Sequence, residues 1–358
     1  MDTMTVDTVT GVVGPAITAA LPPHVRLLLL TDGKRISRVL HVLAELGIAD
    51  ELAGGPLTVP ELAERTGTHG DSLGRVLRVA AAFGVFAERP DGRYTLNDVG
   101  EALRSDVPGS QRDMVLYNGD EMLWRSYGRL MHTVRTGQPA FEAAYGHGFF
   151  EHLEQDPRAG ALFDRAMTGM SRATARMLLD GFDFGRFGRI ADVGGGRGWF
   201  LAELLGRHPR MRGTLVDRPA VVEEAHRLFD EAGVTDRVEV VPGDFFGELP
   251  RGRDAYVLKA VLHDWDDERA AAILGRVREA LAGRPEGRLL VCEFLVGPAN
   301  EWDRGKLLDL DMLIRFGGRE RSEEQWRALL ATAGFELVNE PVAGRWAVLE
   351  CRPVPGTR

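Results

Sequence analysis

The sequence predicts two parts: a mostly helical N-terminal module with a winged-helix layout, then an α/β domain built on a parallel sheet. Three observations carry this. The 358 residues exceed the ~250–300 that one hydrophobic core serves well. Residues 36–96 read as helices followed by a hairpin, and from Arg189 onward short aliphatic runs alternate with helical patterns. At 44% hydrophobic and 27% charged residues, the composition is that of a globular chain rather than a disordered one.

The first ~22 residues, small and ending at Pro22-Pro23, read as a loose arm or a segment ordered on association. Ile36, Val39, Leu40, Leu43 and Leu46 follow helical spacing, and Gly47 is a C-terminal stop. Thr58 and Glu61 form a capping-box pattern for a short helix ending near Gly67. A third helix from Asp71 carries Leu73, Val76, Leu77, Ala80 and Ala81 on one face and stops at Gly84. Two strand-like runs then flank Pro90-Asp91-Gly92, a hairpin signal.

A winged helix often reads DNA, but residues 56–100 carry five basic side chains against six acidic ones, and the whole chain has net charge −9. A phosphate-binding face needs a basic excess, so protein–protein contact is favoured over a DNA-binding regulator. No apolar run approaches the ~20 residues of a membrane span. The first residues lack the basic stretch of a signal peptide. The two cysteines, Cys292 and Cys351, are too few for a disulfide framework, so the cytoplasm is expected. Residues ~110–180 are helical and rich in aromatic and Met side chains, most of them expected in the core and a minority lining an aromatic-substrate pocket.

The aliphatic runs 190–193, 213–216, 238–241, 255–258 and 288–291 are near-continuously apolar, as strands covered on both faces are. This is a Rossmann-type arrangement, with ligands expected at the carboxyl ends of the strands. The first run ends in Asp192-Val193-Gly194-Gly195-Gly196-Arg197-Gly198. Its G-x-G-x-G spacing is tighter than the G-x-G-x-x-G of dinucleotide sites, and suits a cofactor without pyrophosphate such as S-adenosylmethionine (SAM). Asp217, ending the second run, is placed for ribose hydroxyls, with a helix cap as the bland alternative. Asp244 and Phe245 follow the third run, the acid for an adenine amino group and the ring for its face.

The fourth run leads into Leu258-Lys259-Ala260-Val261-Leu262-His263-Asp264-Trp265-Asp266-Asp267. With DVGGG-x-G (192–198), PGDFF (242–246), CEFL (292–295) and DLDMLIRFGGRER (309–321), the chain resembles SAM-dependent O-methyltransferases of small aromatic molecules. The resemblance covers nearly the whole chain. It implies a winged-helix dimerisation domain over 1–110, a helical segment contributing to the substrate pocket over 111–180, and a Rossmann-like catalytic domain over 181–358. It implies that Gly194 and Gly196 hold SAM, with Asp217 on the ribose, Asp244 and Phe245 at the adenine, and Lys259 as a further contact. His263 matches the catalytic base, and Glu293 and Glu320 the flanking acids, either of which can orient it. Pocket residues are expected among Trp124, Phe149, Phe163, Met167 and Met312.

The chemistry agrees with the resemblance. A phenol with pKa near 10 is ionised to only about a thousandth at neutral pH, so an imidazole base has a task, worth ~10²–10⁴-fold. The product is S-adenosylhomocysteine, and the partner a second copy of the chain. Asp264, Asp266 and Asp267 beside His263 form a hard-oxygen cluster that suits Mg²⁺. Capping of the next helix, with Asp264 as the cap, is preferred, and no metal is expected. The alternatives are N- or C-methylation, or hydroxylation or decarboxylation by a SAM-binding relative.

Overall fold

The structure, a computed structural model, describes residues 22–223 and 225–355. The expected N-terminal arm lies outside the described residues but for Pro22. Two compact units result. One takes the chain to Leu130 together with Ala143–Ala173, and the other takes Met131–Glu142 and the chain from Thr174 on. Residues of the expected intervening segment are thus shared between both units.

In the first unit a helix runs Pro23–Glu45, starting well before the expected Ile36. Its first turns escaped the periodicity because Leu27, Leu28 and Leu30 are 62–73% exposed and mark no buried face. Gly47 takes a left-handed φ of 66° and turns the chain into the next helix, Ile48–Leu52. The Thr58–Glu61 capping box is formed, and the hydrogen bonds from Thr58 hold Glu61 below the usual carboxylate range. Strands β1 (Leu57–Thr58), β2 (Phe86–Glu88) and β3 (Arg93–Leu96) make an antiparallel sheet in the order β1-β3-β2. With helices Val59–Thr66 and Gly70–Ala82 it encloses Leu43, Ile48, Leu62, Leu77, Phe86 and Tyr94. This is the expected winged helix.

The second unit is built on β4 (Arg189–Val193), β5 (Arg212–Asp217), β6 (Val238–Pro242), β7 (Ala255–Lys259), β8 (Arg288–Val296), β9 (Arg321–Ser322), β10 (Phe335–Leu337) and β11 (Arg345–Pro353). The sheet order is β10-β11-β8-β7-β4-β5-β6, with β9 beside β8. Strands β4 to β8 are parallel, as their apolar runs predict. The sheet as a whole is mixed, because β11 runs antiparallel to both β8 and β10. That edge was not read from the sequence: β10 has three residues, too few to show a period. One face buries Tyr256, Leu258, Leu289 and Leu349, and the other Ile190, Val257, Leu290 and Val348. Each such side chain contributes roughly 1.5–3 kcal/mol by leaving water. Among the described residues no helix is long and apolar enough to cross a membrane.

Candidate active site

The carboxyl ends of β4 to β7 carry Gly194, Gly196, Asp217, Asp244, Phe245, Lys259 and His263, while Glu293 lies within β8 and Glu320 directly before β9. After β4 the chain turns through Gly194 and Gly196 at φ 71° and 60°, conformations that side-chain-bearing residues rarely adopt. A Cβ on Gly194 would lie 2.7 Å from Val261 and 3.4 Å from the Phe245 ring, so only glycine lets these three segments meet. Around the corresponding point of Gly196 nothing lies within 4 Å. This open cradle of backbone fits an adenosyl cofactor. Asp217 accepts from Gly196 N (2.8 Å) and from Arg218 N (2.7 Å), so it braces the turn and caps no helix. Asp244 accepts from Phe246 N at 2.9 Å. Phe245 meets Trp265 edge-on at 6.1 Å.

Beneath this turn Asp192 is 1% exposed, and among the described residues neither carboxylate oxygen has a hydrogen-bond partner. Burial pushes its pKa up to about 7 against the pull of Lys259. The Lys259 ammonium lies 5.8 Å from the Trp346 ring centre, and burial lowers its pKa while Asp192 opposes the shift. Trp346, on β11, also meets the His263 ring edge-on at 6.5 Å. Sequence reasoning missed it, since a Trp within an apolar strand carries no signal of its own.

His263 sits in a 3₁₀ turn, Leu262–Asp264, after β7. Just before it Ala260 holds a left-handed φ of 54°. That kink aims two successive amides, Val261 N and Leu262 N, at Glu293 Oε1 (3.0 and 2.9 Å). Glu293 therefore anchors the backbone of the turn, with its Oε2 3.3 Å from His263 Nδ1. Glu320 makes the closer contact with the ring, Oε1 to Nδ1 at 2.9 Å. The two acids thus divide the work that the sequence left open between them. Nδ1–H donates to Glu320, and the lone pair of the neutral ring is left on Nε2.

Asp264 is not a helix cap. Asp266 caps the helix Asp267–Ala280 by accepting from Arg269 N at 2.8 Å. The 3₁₀ turn places Asp264 two residues too early and brings its Oδ1 to 3.5 Å from His263 Nε2. Burial opposes a charge on the imidazole, yet Glu293, Glu320 and Asp264 outweigh it and raise His263 to about 10. Burial pushes Glu293 up as well. Donor atoms of His263, Glu293 and Glu320 lie within 4.8 Å of one another, close enough to grip an ion. The Nδ1–Glu320 hydrogen bond accounts for their approach without one.

The expected pocket residues fall in both units. Phe149 and Phe163 meet edge-on at 5.4 Å, with Tyr117 5.7 Å from Phe163, and Met167 follows Phe163 by four residues on the helix Pro157–Gly181. The Arg38 guanidinium lies over the Trp124 ring at 5.4 Å. Met312 is buried on the helix Gly305–Arg315 of the other unit.

Residues 28–106 match an O-methyltransferase dimerisation domain and residues 127–336 an O-methyltransferase domain. The 8-amino-8-demethylriboflavin N,N-dimethyltransferase of Streptomyces davaonensis is 42% identical over 90% of this chain and 93% of its own. A phenazine O-methyltransferase of Lysobacter antibioticus is 38% identical over 94% of this chain and 98% of its own. A solved O-methyltransferase of neocarzinostatin biosynthesis, in complex with SAM and 2-hydroxy-5-methyl naphthoic acid, is 37% identical. It superposes with a TM-score of 0.76 over 89% of this chain and 96% of that one. The winged helix, the glycine turn and the His–Glu–Glu cluster thus have their place together: this chain belongs to the SAM-dependent O-methyltransferase family.

Proposed function

We propose that the protein methylates a phenolic hydroxyl of a polycyclic aromatic secondary metabolite, with His263 as general base. The observation that carries this is the His263 ring, fixed at Nδ1 by Glu320 at 2.9 Å with Nε2 on the opposite side. SAM, when bound, supplies an electrophilic methyl group on a sulfonium. Gly194 and Gly196 are proposed to receive its methionine end, Asp217 the ribose, Asp244 and Phe245 the adenine, with Lys259 nearby. Holding the reactants in line accounts for roughly 7–11 kcal/mol of barrier lowering in well-aligned systems.

The carboxylates tune the base. An ordinary imidazole sits ~3.5 pK units below a phenol, so taking its proton is uphill. A His263 raised to about 10 matches the acceptor, and the proton passes to Nε2 without that penalty. The cost is that the resting imidazolium must first lose a proton, which favours alkaline conditions.

The exposed Leu27, Leu28 and Leu30 in a domain matching the family's dimerisation module support a homodimer. The free cysteines Cys292 and Cys351, both buried, suit a reducing cytoplasm. A second reading is methylation of an aromatic amine, the kind of acceptor named for the Streptomyces davaonensis relative. An amine attacks through its lone pair and needs no base beforehand. The test is methyl-labelled SAM turnover against a panel of phenols and aromatic amines, wild type beside His263→Ala. Phenol methylation that falls at least a hundredfold in the variant upholds the proposal, whereas equal amine methylation by both proteins replaces it with the second reading.

A further inference from the structure

Arg321 follows Glu320 immediately, and successive residues of an extended segment face opposite ways. Glu320 turns to the His263 ring, and Arg321 turns to the backbone around it. Its guanidinium is 1% exposed. Nη1 donates to Leu262 O at 3.1 Å and Nη2 to Trp265 O at 3.0 Å. Nε and Nη2 both donate to Asp267 Oδ1, at 3.0 and 2.7 Å, and the guanidinium carbon lies 5.1 Å from the Trp326 ring centre. Next to it Arg319 N donates to His263 O at 2.8 Å. Three consecutive residues, 319 to 321, therefore hold the carbonyls of residues 262, 263 and 265 and the imidazole between them. A Cβ on Gly318 would collide with His263 O, so this segment lies directly against the turn.

We infer that Arg321 is a positioning residue for the base: by gripping the carbonyls on both sides of His263 and Asp264, it sets where Nε2 points. The geometry separates this from a merely structural arginine. A guanidinium that only filled the core would need one ion partner, and Asp267 supplies that. Bonds to two carbonyls bracketing the base fix the turn itself, and the planar fork of arginine makes both bonds at once. A lysine ammonium at the same place can reach only part of this set. Arg321 touches neither the ring nor any reacting group, so its effect passes through His263. The inference rests on the reading of His263 as base.

The test uses the full chain with Arg321→Met and Arg321→Lys, and two readouts. In histidine-labelled protein the Nδ1–H proton of His263, assigned by its disappearance in His263→Ala, reports the ring's bond to Glu320 without any acceptor present. In Arg321→Met this resonance is expected to shift or broaden while SAM affinity stays within about twofold. Turnover of the phenol panel is expected to lose ~30-fold in kcat with KM for both substrates within about threefold, as misplacement of a general base worth ~10²–10⁴-fold implies. Arg321→Lys is expected midway, and added guanidinium is expected to restore part of the rate to Arg321→Met. An unmoved Nδ1–H resonance in Arg321→Met, or kcat within threefold of wild type, overturns the inference. Should Arg321→Met not fold, Arg321→Lys decides on the same two readouts. A wild type that methylates no phenol counts against the proposed function instead, and the resonance still decides the role of Arg321.

Discussion

The carboxylates along the site edge are held in two opposite ways. At the ends of β5 and β6, Asp217 is half-buried and Asp244 exposed. Their oxygens rest on backbone amides: Gly196 and Arg218 for one, Phe246 for the other. Glu293, within β8, and Glu320, directly before β9, are 0% and 4% exposed, and each leaves one oxygen without a hydrogen bond among the described residues. Amides hold an anion in place while water still reaches it, so a ligand hydroxyl can be exchanged there at little cost. Buried acids are costly unless a positive charge compensates them. Here His263 does so, and the same compensation lifts its basicity. One side of the edge is suited to a ligand that comes and goes, the other to a proton.

Four experiments break or sharpen that division. The largest effect is expected from His263→Ala, which should lower kcat on a phenol by ~10³-fold with SAM affinity unchanged within about twofold by calorimetry. A parallel loss of SAM binding would merge the two sides. Glu320→Gln comes next, at ~10²-fold in kcat, the low end of what general-base help contributes. Because three carboxylates raise His263, kcat/KM in wild type should climb about tenfold per pH unit from about pH 7 to 9. Glu320→Gln withdraws one raising charge, so its limb should lie at lower pH, and a limb that stays put would deny Glu320 that influence.

Asp217→Ala is expected to weaken SAM by about 10-fold, the effect of losing a charge-assisted hydrogen bond of ~1.5 kcal/mol, with kcat at saturation little altered. A fall in kcat with unchanged affinity would place Asp217 on the proton side. The smallest effect belongs to Ala260, whose left-handed φ suits glycine. Ala260→Gly should keep activity and stay within about 2 °C in Tm, whereas Ala260→Val, β-branched at positive φ, should lose several degrees, a strain of about 1–3 kcal/mol.

How much of this was legible in the sequence follows the same division. The glycine turn, Asp217 and Asp244 lie where local rules apply: strand ends, φ-permissive residues and short spacings. The pairing of His263 with Glu320 spans 57 residues and no local pattern encodes it. It was anticipated only through resemblance, and the question of which acid orients the ring needed coordinates. Asp264 was misread as a cap because a 3₁₀ turn, Leu262–Asp264, sets the helix start later than the run of acids suggests. Trp346 went unnoticed, and Arg321 entered only as the last residue of the 309–321 motif, because each acts through neighbours distant in the chain. At the N-terminus, Leu27 to Leu30 hid the start of a helix because they are exposed in the single chain.

Gly318 lies directly against the carbonyl of His263, so the surroundings of that imidazole depend on two segments far apart in the chain. Between the turn 261–265 and the segment 318–321 runs β8, which pairs with β7, and β9 pairs with the far end of β8. Holding a short strip across so long a loop costs chain entropy, and the strip is expected to open more readily than the parallel strands. Hydrogen exchange should show the amides of Arg319 and Glu320 opening together with those of Val261 and Leu262, as one unit less stable than β4, β5 and β7.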